Sequence, residues 1–240
     1  MPRLLELFSG TGSVGAAFER IGWDVVSLDI EAKFTPTHVA NIHDWDHRQY
    51  PPDHFDFVWA SPPCQHFSGC RSTGGPRDIA GACANVARAL EIMHYFDVPM
   101  AMENPRTGLL TRQAVVAGIL YKDVTYCVYG FPYRKPTRIW TTLGDWWNPR
   151  HECFKSAPCP FLLKQGKHPC VAQRGSVVVA EGLKRGGKRQ QTLYMMPPAL
   201  CDELARAADS MHHSALVNGV PIVQVFAAEQ GSTSAAQVDV

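Results

Sequence analysis

The chain has 240 residues, of which 45% are hydrophobic and 19% are charged, and its formal net charge at pH 7 is +1. This size allows one well-buried core and a small appended module. No run of 18 apolar residues occurs and the first predicted strand begins near residue 3, so we expect no membrane span and no signal peptide. In an intracellular chain, eight cysteines are more typical of reduced, catalytic or metal-bound thiols than of disulfides.

Positive charge is concentrated in one segment. Residues 133–190 contain 12 Lys and Arg but only 3 Asp and Glu, a formal charge of +9. The rest of the chain has 11 Lys and Arg against 19 Asp and Glu, a formal charge of −8. A basic segment attached to an acidic body predicts that a polyanion docks on the segment. A solvated basic loop without a partner is the alternative.

Over the first 130 residues, short apolar runs alternate with helical stretches. The runs predict strands over Leu4–Phe8, Asp24–Asp29, Phe55–Ala60, Met100–Glu103 and Thr125–Tyr129. Helices are predicted between them, over Ser13–Ile21 and Ile79–Phe96. This alternation predicts an α/β fold with an open, mostly parallel, Rossmann-like sheet, in a domain that covers residues 1–143. Such sheets bind ligands at the carboxyl ends of their strands.

The alternation stops after residue 143. Residues 144–190 combine tryptophans, prolines, clustered Cys and His, and Gly-rich basic sequence, which predicts a small insertion. Pro197 and Pro198 suit the first turn of a last helix, predicted over Ala199–Ala208, in a segment 191–213 that returns to the first domain. Residues 214–240 are predicted to form a tail, whose small and polar residues favour disorder.

A Gly-rich loop follows the first predicted strand and precedes a helix. Gly10, Gly12 and Gly15 have the spacing of a dinucleotide fingerprint, which permits a tight turn and a close approach of a ligand to the backbone. Asp29, at the end of the second predicted strand, is positioned to bind ribose hydroxyls. These features predict an adenosine cofactor but fit NAD, FAD and S-adenosylmethionine (SAM) equally well. A Gly-rich turn that binds nothing is the alternative.

A cysteine follows the predicted strand Phe55–Ala60. Pro62 and Pro63 fix the backbone directly before Cys64, which places its thiol on a rigid turn at the carboxyl end of the strand. A thiol held beside the ligand crevice is a candidate nucleophile. A single Cys is nevertheless more often an inert small apolar residue than a catalytic one.

Four segments together identify a family. Residues 8–12 (FSGTG), 63–68 (PCQHFS), 103–105 (ENP) and 129–138 (YGFPYRKPTR) resemble, in the same order, motifs of the DNA cytosine-C5 methyltransferase family. The resemblance covers residues 3–143 and implies SAM-dependent methylation of carbon 5 of cytosine in double-stranded DNA. It implies that Cys64 adds to carbon 6 of a base flipped out of the duplex. It further implies that Glu103 engages N3 and the amino group of the base, and that Arg138 is the nearby cation.

The resemblance extends to residues that contact the cofactor and the DNA. The SAM-binding residues that it implies are Glu6, Phe8, Gly10, Thr11, Gly12, Asp29, Ile30, Asp44 and Pro63. Asp46 is an alternative to Asp44 at the adenine amino group. The residues that it implies for DNA contact, or for a mobile loop over residues 68–81, are Gln65, Ser68, Arg71, Arg134 and Lys135. Because the chain is as small as family members carried by phages, we expect a monomer in the cytoplasm of a bacterium or a phage-infected host.

The chain departs from the family pattern at two places. The arginine motif normally has two arginines one residue apart, but here only Arg138 matches, so that phosphate contact can fall to Arg134 or Lys135. Tyr194 stands where the last motif has Asn, which leaves a modified SAM donor open. A tRNA cytosine-C5 methyltransferase, a non-catalytic DNA-binding regulator and, more remotely, a dinucleotide oxidoreductase are also compatible with parts of this pattern.

Residues 144–190 occupy the place of the family's target-recognition region. Candidate base contacts are Trp146, Trp147, Asn148, Gln165 and Gln173. The region also contains a run of soft ligands, His151, Cys153, Cys159, His168 and Cys170. In loop-rich sequence with few apolar residues, such a run predicts a structural zinc site, for which we expect Cys153, Cys159, His168 and Cys170 as ligands. Unligated loop residues are the alternative.

Overall fold

The computed structural model describes residues 1–69, 75–170 and 194–219. One sheet in this part of the chain has seven strands: β1 (Arg3–Leu7), β2 (Asp24–Asp29), β3 (His38–Val39), β4 (Phe57–Ala60), β5 (Met100–Pro105), β6 (Tyr121–Thr125) and β7 (Pro136–Thr141). The same residues form four α-helices: α1 (Gly15–Glu19), α2 (Ile79–Phe96), α3 (Pro160–Gln165) and α4 (Pro198–Asn218). Among these helices, none is long and apolar enough to cross a membrane.

The strand order is β3-β2-β1-β4-β5-β7-β6. Strands β1 to β5 are parallel to their neighbours, whereas β7 lies antiparallel between β5 and β6. This topology confirms the predicted α/β class with an open, mostly parallel, Rossmann-like sheet. Because β7 runs antiparallel, its first residues lie at the same edge of the sheet as the last residues of β5 and β6. The carboxyl ends of β1 to β6 and the start of β7 therefore meet at this edge, where such sheets bind ligands.

Helices cover both faces of the sheet. Successive residues of a strand point to opposite faces, so Leu4 and Trp59 belong to one cluster of buried side chains and Leu5 and Val58 to another. Helices α1 and α4 contribute to the first cluster, and α2 to the second. The central strands are thus apolar on both sides, as is typical of a parallel sheet.

Two predictions around β6 and β7 are wrong. A strand was predicted over Thr125–Tyr129. The observed strand β6 ends at Thr125, and Tyr126–Tyr129 form a 3-10 helix. β7 was not predicted at all. Its first residue, Pro136, has no N–H group to donate, and such a residue is tolerated only at the start or edge of a strand.

The last helix is longer than predicted. α4 runs from Pro198 to Asn218 and ends at Gly219, whose φ of 62° suits the left-handed residue that follows a helix. Residues 214–218 are therefore helical, and Ala215 still packs into the core, rather than belonging to the predicted tail. Residues 220–240 lie outside the described residues.

The C-terminal segment returns to the first domain, in agreement with the sequence. The Trp23 Nε1–H donates to Asp209 Oδ1 (2.9 Å), and Arg20 pairs with Asp202 (2.5 Å). Just before α4, the Met196 N–H donates to Ser13 Oγ (3.4 Å). These contacts attach α4 to the segment after α1, and the residues just before α4 to the end of the Gly-rich loop.

Candidate active site

The Gly-rich loop between β1 and α1 has an unusual backbone. Phe8, Gly10 and Gly12 have φ angles of 55°, 49° and 65°, in the left-handed region that favours glycine. The Ser9 N–H donates to Leu28 O (3.1 Å), and the Gly12 N–H donates to Ser9 O (2.8 Å). The loop is thus folded back against the end of β2, with backbone groups at the edge where the strands end.

Asp29 holds the loop in place from the end of β2. Its Oδ2 accepts the Gly10 N–H and its Oδ1 accepts the Glu31 N–H, both at 2.8 Å. The next side chain, Ile30, is apolar and yet 65% exposed. An oriented carboxylate beside an exposed apolar side chain suits the ribose and the adenine of an adenosine cofactor.

The structure also distinguishes the two candidate acids for the adenine amino group. Asp46 caps the 3-10 helix His47–Gln49, where its Oδ1 accepts the Arg48 N–H (3.0 Å). Asp44 is exposed and its side chain has no such capping bond. Asp44 is therefore the better candidate of the two. Pro63 is also exposed, on the loop that follows β4.

Glu6 lies beneath the loop rather than in it. The side chain is only 2% exposed and accepts the backbone N–H groups of Val14 and Gly15 at the start of α1. A Cβ on Gly15 would lie 2.6 Å from Glu6 Oε2, so a side chain at that position would displace the Glu6 carboxyl group. Burial raises the pKa of Glu6 to about 8. Glu6 therefore fixes the geometry of the predicted cofactor loop from below.

We expect Glu6 to make the stability of the protein dependent on pH. Because burial raises its pKa in the folded state from about 4.5 to about 8, the folded protein retains a proton that the unfolded chain has lost. The free energy of unfolding should therefore fall, relative to Glu6→Gln, by about 1 kcal/mol per pH unit as the pH rises from about 5 to about 8. Urea denaturation across this range measures the difference. Asp24→Asn, exposed at the start of β2, is the control, and parallel curves for wild type and Glu6→Gln would contradict the prediction.

The turn that carries Cys64 is held rigidly. The N–H groups of Phe67 and Ser68 donate to Cys64 O at 3.0 and 2.8 Å. Behind the turn, the buried Asn104 donates from Nδ2 to Pro62 O (2.9 Å), which ties the segment to the end of β5. The Cys64 side chain itself is only partly exposed. These hydrogen bonds form a turn at the place where the two prolines predict one.

Glu103, Tyr126 and Lys135 meet beside Cys64, at the ends of three neighbouring strands. Glu103 Oε1 accepts the Tyr126 hydroxyl (3.4 Å) and lies 3.7 Å from Lys135 Nζ. The same ammonium group lies 3.5 Å from the Tyr126 oxygen and 4.6 Å from the centre of its ring. The sequence did not indicate Tyr126, because it lies in the apolar run that predicts a strand.

The charges around Cys64 act in opposite directions on its thiol. Burial raises the pKa of Cys64, and the Glu103 carboxylate raises it further, whereas the Lys135 ammonium group lowers it. Burial also raises the pKa of Tyr126 well above its usual value, with Glu103 adding to the effect. At neutral pH the resting site therefore contains a protonated Cys64 thiol and a neutral Tyr126 phenol, beside the Glu103 carboxylate and the Lys135 ammonium group.

Arg138 does not join this group, contrary to the predicted arrangement. In the register of β5 and β7, Glu103 is opposite Ile139 and Asn104 is opposite Arg138, so Glu103 and Arg138 point to opposite faces. Arg138 instead binds Asp123 through two hydrogen bonds, of 2.8 and 2.9 Å, and stacks on the Tyr121 ring at 3.4 Å. Among the residues that the structure describes, Lys135 is the cation that pairs with Glu103 and acts on Cys64.

A salt-bridge network extends from Arg138 to the insertion. Arg106, just after β5, lies 3.6 Å from Asp123 and 2.6 Å from Glu152. Arg138 pairs with the same Asp123. These contacts join the edge of the sheet to Glu152, the residue before Cys153. Arg138 is therefore part of a network that holds the insertion to the sheet.

Of the residues predicted for DNA contact, Gln65 and Ser68 lie on the Cys64 turn. Gln65 is exposed and Ser68 is half-buried, while Arg71 lies outside the described residues. Arg77, which the sequence did not single out, donates to His66 O (3.0 Å) and Ser68 O (2.7 Å). On the other side of the site, Arg134 is exposed, with its guanidinium 5.6 Å from the Phe154 ring.

The tryptophans of the insertion do not lie where base contacts were expected. Trp147 is 2% exposed and belongs to the core cluster on the α1 and α4 face, and Trp146 packs against the same cluster. Lys122 donates to the backbone carbonyls of Gly144 (2.6 Å) and Trp147. The two indoles therefore attach the start of the insertion to the sheet. Asn148 and Gln165 are exposed, and Gln173 lies outside the described residues.

The predicted metal ligands need one correction. Cys127, Cys153, Cys159 and His168 have ligand atoms that all lie within 4.8 Å of one another. Cys170 is not in this group, and its backbone N–H donates to Pro132 O (3.1 Å). Cys127, in the 3-10 helix after β6, takes its place. The sequence did not indicate Cys127, which precedes the nearest of the other ligands by 26 positions.

Comparison with solved structures identifies the class of fold. The chain is similar to the Entamoeba histolytica methyltransferase EhMeth, with a TM-score of 0.52 and 12% identity, over 87% of this chain and 98% of that one. A DNMT2 mutant from Spodoptera frugiperda matches with a TM-score of 0.40 and 18% identity, over 59% of this chain and 49% of that one. The EhMeth match and the strand order show a Rossmann-like methyltransferase fold.

Sequence comparisons identify the family. The profile of the C-5 cytosine-specific DNA methylase family matches residues 2–106. A Frog virus 3 (isolate Goorha) protein named "Probable DNA (cytosine-5)-methyltransferase" is 32% identical over an alignment of 219 positions, which covers 84% of this chain and 98% of the viral protein. The chain belongs to the C-5 cytosine-specific DNA methylase family, and it is therefore an enzyme of the DNA (cytosine-5)-methyltransferase class.

Proposed function

We propose that this enzyme methylates carbon 5 of cytosine in double-stranded DNA through a covalent adduct between Cys64 and carbon 6 of a flipped base. The observation that carries the proposal is the convergence of a thiol, a carboxylate and an ammonium group at one edge of the sheet, since Glu103 and Lys135 both act on the pKa of Cys64. Carbon 5 of cytosine is a poor nucleophile. A thiol, an acid and a cation are the groups needed to activate it.

The residues around the Gly-rich loop fit SAM. The left-handed loop places backbone groups near the ligand, Asp29 is oriented by two N–H donors, and Ile30 offers an apolar surface. When bound, SAM supplies a methyl group on a positively charged sulfur. Phe8, Thr11 and Asp44 complete the binding residues that we propose, and Glu6 and Gly15 hold the loop in shape.

Cys64 activates the base. Its thiolate forms a carbon–sulfur bond to carbon 6, and the electron pair of the carbon 5–carbon 6 double bond moves onto the ring, leaving an enamine with electron density on carbon 5. Carbon 5 takes up the methyl group. A base then removes the proton from carbon 5, the double bond re-forms, and the bond to sulfur breaks to release the Cys64 thiolate. Before it attacks, the Cys64 thiol must lose its proton. The Lys135 ammonium group favours this loss because it lowers the pKa of Cys64.

Glu103 stabilises the charge that develops on the ring. Its carboxyl group is 8% exposed and is held between Tyr126 and Lys135, so that it presents one fixed direction to N3 and the amino group of the base. An interaction that strengthens as charge develops accelerates the reaction more than one that binds the substrate alone. Lys135 and Tyr126 position Glu103, and Lys135 also takes the electrostatic role that the family pattern gives to Arg138.

The insertion supplies the surface for DNA phosphates. Four cations of the insertion and of the loop before it are exposed and form no ion pair with another described residue: Arg134, Lys155, Lys164 and Lys167. The target base has to leave the duplex to reach Cys64, at a cost of a few kcal/mol. Phosphate contacts offset that cost without specifying sequence.

Incubation with labelled SAM tests the proposal. The purified chain is offered unmethylated double-stranded DNA, single-stranded DNA of the same sequence and unmodified tRNA, and the nucleosides are analysed by mass spectrometry. The expected product is 5-methyldeoxycytidine, formed from the duplex. Labelled 5-methylcytidine from tRNA alone would transfer the assignment to an RNA substrate. A deoxycytidine carrying a different group, seen only with a cellular metabolite extract, would indicate a modified donor.

Substitution of Lys135 is expected to reduce catalysis, whereas substitution of Arg138 is expected to reduce stability. Lys135→Gln should lower kcat about 10- to 100-fold, because Cys64 and Glu103 both lose the adjacent positive charge, with Lys135→Arg retaining more activity. Arg138→Gln should instead lower the free energy of unfolding by about 1–3 kcal/mol, since Asp123 loses its two-bond partner. Single-turnover rates and urea denaturation separate the two effects. The assignment is reversed if Arg138→Gln removes turnover from folded protein while Lys135→Gln does not.

A further inference from the structure

We propose that Cys127, Cys153, Cys159 and His168 bind one structural zinc ion that joins the insertion to the catalytic sheet. Their ligand atoms all lie within 4.8 Å of one another. The three sulfurs and one ring nitrogen form a Cys3His set, which is a usual ligand set for structural zinc. The site uses one residue from the 3-10 helix after β6 and three from the insertion.

The distances from His168 to two of the sulfurs already fit tetrahedral coordination. With Zn–S bonds of about 2.3 Å and Zn–N bonds of about 2.0 Å, a tetrahedral site places sulfur and nitrogen about 3.5 Å apart and two sulfurs about 3.8 Å apart. His168 Nε2 lies 3.6 Å from Cys153 Sγ and 3.3 Å from Cys159 Sγ. Only small side-chain movements are therefore needed to place an ion at equal distance from the four ligands.

The insertion has little else to hold it together. Among residues 148–170, the only fully buried side chains are Cys153, Cys159 and Cys170. A segment without an apolar core of its own needs another source of folding energy, and a bound metal ion can supply it. The ligands are also supported by the surrounding backbone, since the Cys153 N–H donates to Thr125 Oγ1 (2.8 Å) and Cys159 accepts backbone N–H groups of Phe161 and Leu162.

The site connects two functional regions. Cys127 directly follows Tyr126, which contacts Glu103, while Cys153, Cys159 and His168 belong to the basic surface that we propose for DNA. The SAM loop lies on the far side of β4 and β5 in the strand order. Loss of the ion should therefore weaken DNA binding and turnover while leaving the SAM dissociation constant within about twofold.

Metal analysis of the purified full-length chain tests the proposal. The chain is produced in zinc-supplemented medium and passed through metal-free buffer, and we expect about one zinc ion per chain. Cys127→Ser and His168→Ala should fall below about a tenth of that content. Cys170→Ser is the matched control, since Cys170 is equally buried but stands outside the cluster, and it should retain the ion.

Two further measurements keep the test decisive if a variant fails to fold. His168→Cys should retain zinc through four sulfurs, and cobalt in place of zinc should give the absorption spectrum of a tetrahedral site with thiolate ligands. A wild-type chain without zinc, a disulfide among these cysteines in the intact mass, or zinc loss in Cys170→Ser equal to that in Cys127→Ser would overturn the proposal. Because metal content is measured without DNA or SAM, its result is independent of the proposed methyl transfer.

Discussion

Cys64→Ala is expected to reduce methyl transfer by on the order of 10⁴-fold or more, because without the thiol no group on the turn can form the bond to carbon 6. SAM binding should be nearly unchanged, since Cys64 follows β4 whereas the SAM loop follows β1 and contacts β2. Single-turnover methylation and equilibrium SAM binding measure the two effects separately. Cys83→Ala, a half-buried thiol on α2, is the control and should stay within about twofold of wild type.

DNA that contains 5-fluorocytosine sharpens this test. The reaction requires loss of a proton from carbon 5 before the bond to sulfur can break, and fluorine cannot leave as a cation. Wild type should therefore form a denaturation-resistant complex with such DNA, and peptide mapping should locate the bond at Cys64. Cys64→Ala should form none. Turnover by the alanine variant, or a cross-link at another residue, would exclude Cys64 as the nucleophile.

The parallel half of the fold was predictable because its signals are local. The bounds of β2 and α2 agree with those predicted. α2 has an apolar face, and at its start Asp78 accepts the Gly81 N–H (2.8 Å), as a helix cap does. The motifs at the ends of β1, β4 and β5 were placed at one edge because carboxyl ends of parallel strands meet there.

The positions of Lys135 and Arg138, in contrast, could not be predicted, because they depend on how two strands pair. Which of them faces Glu103 depends on the register of β7 against β5, and a shift of one residue reverses the face of every side chain. β7 begins with a proline and was not predicted as a strand, so its register had no basis in the sequence. Roles assigned from a family motif are therefore least certain next to a residue that departs from the motif, which here is Pro136.

The metal cluster shows the same difficulty over a longer range. Cys153, Cys159 and His168 are near one another in sequence and were predicted together. Cys127 lies in an apolar run in which a buried cysteine is ordinary. Only the tertiary fold places Cys127 against the other three, since the Cys153 N–H donates to Thr125 Oγ1, two residues before Cys127.

Glu103→Gln is expected to slow methyl transfer by about 10²- to 10⁴-fold, because the amide offers no proton or charge that can follow the developing charge on N3. Since the Glu103 carboxylate raises the pKa of Cys64, the same variant should lower that pKa and increase the thiolate fraction at pH 8. Alkylation of Cys64 by iodoacetamide, quantified by peptide mass spectrometry, should therefore become faster while catalysis becomes slower.

These opposite changes distinguish a chemical role of Glu103 from a structural one only if the variant keeps the wild-type free energy of unfolding in urea. Disorder of the site would also expose Cys64 and so remove the burial that raises its pKa. Glu31→Gln, near the SAM loop but away from the thiol, is the matched control and should leave both rates close to those of wild type. Lys135→Gln should move the alkylation profile the other way, because its ammonium group lowers the pKa of Cys64. Profiles that shift in the same direction for both variants would show that the charges around Cys64 do not control its thiol as the geometry implies.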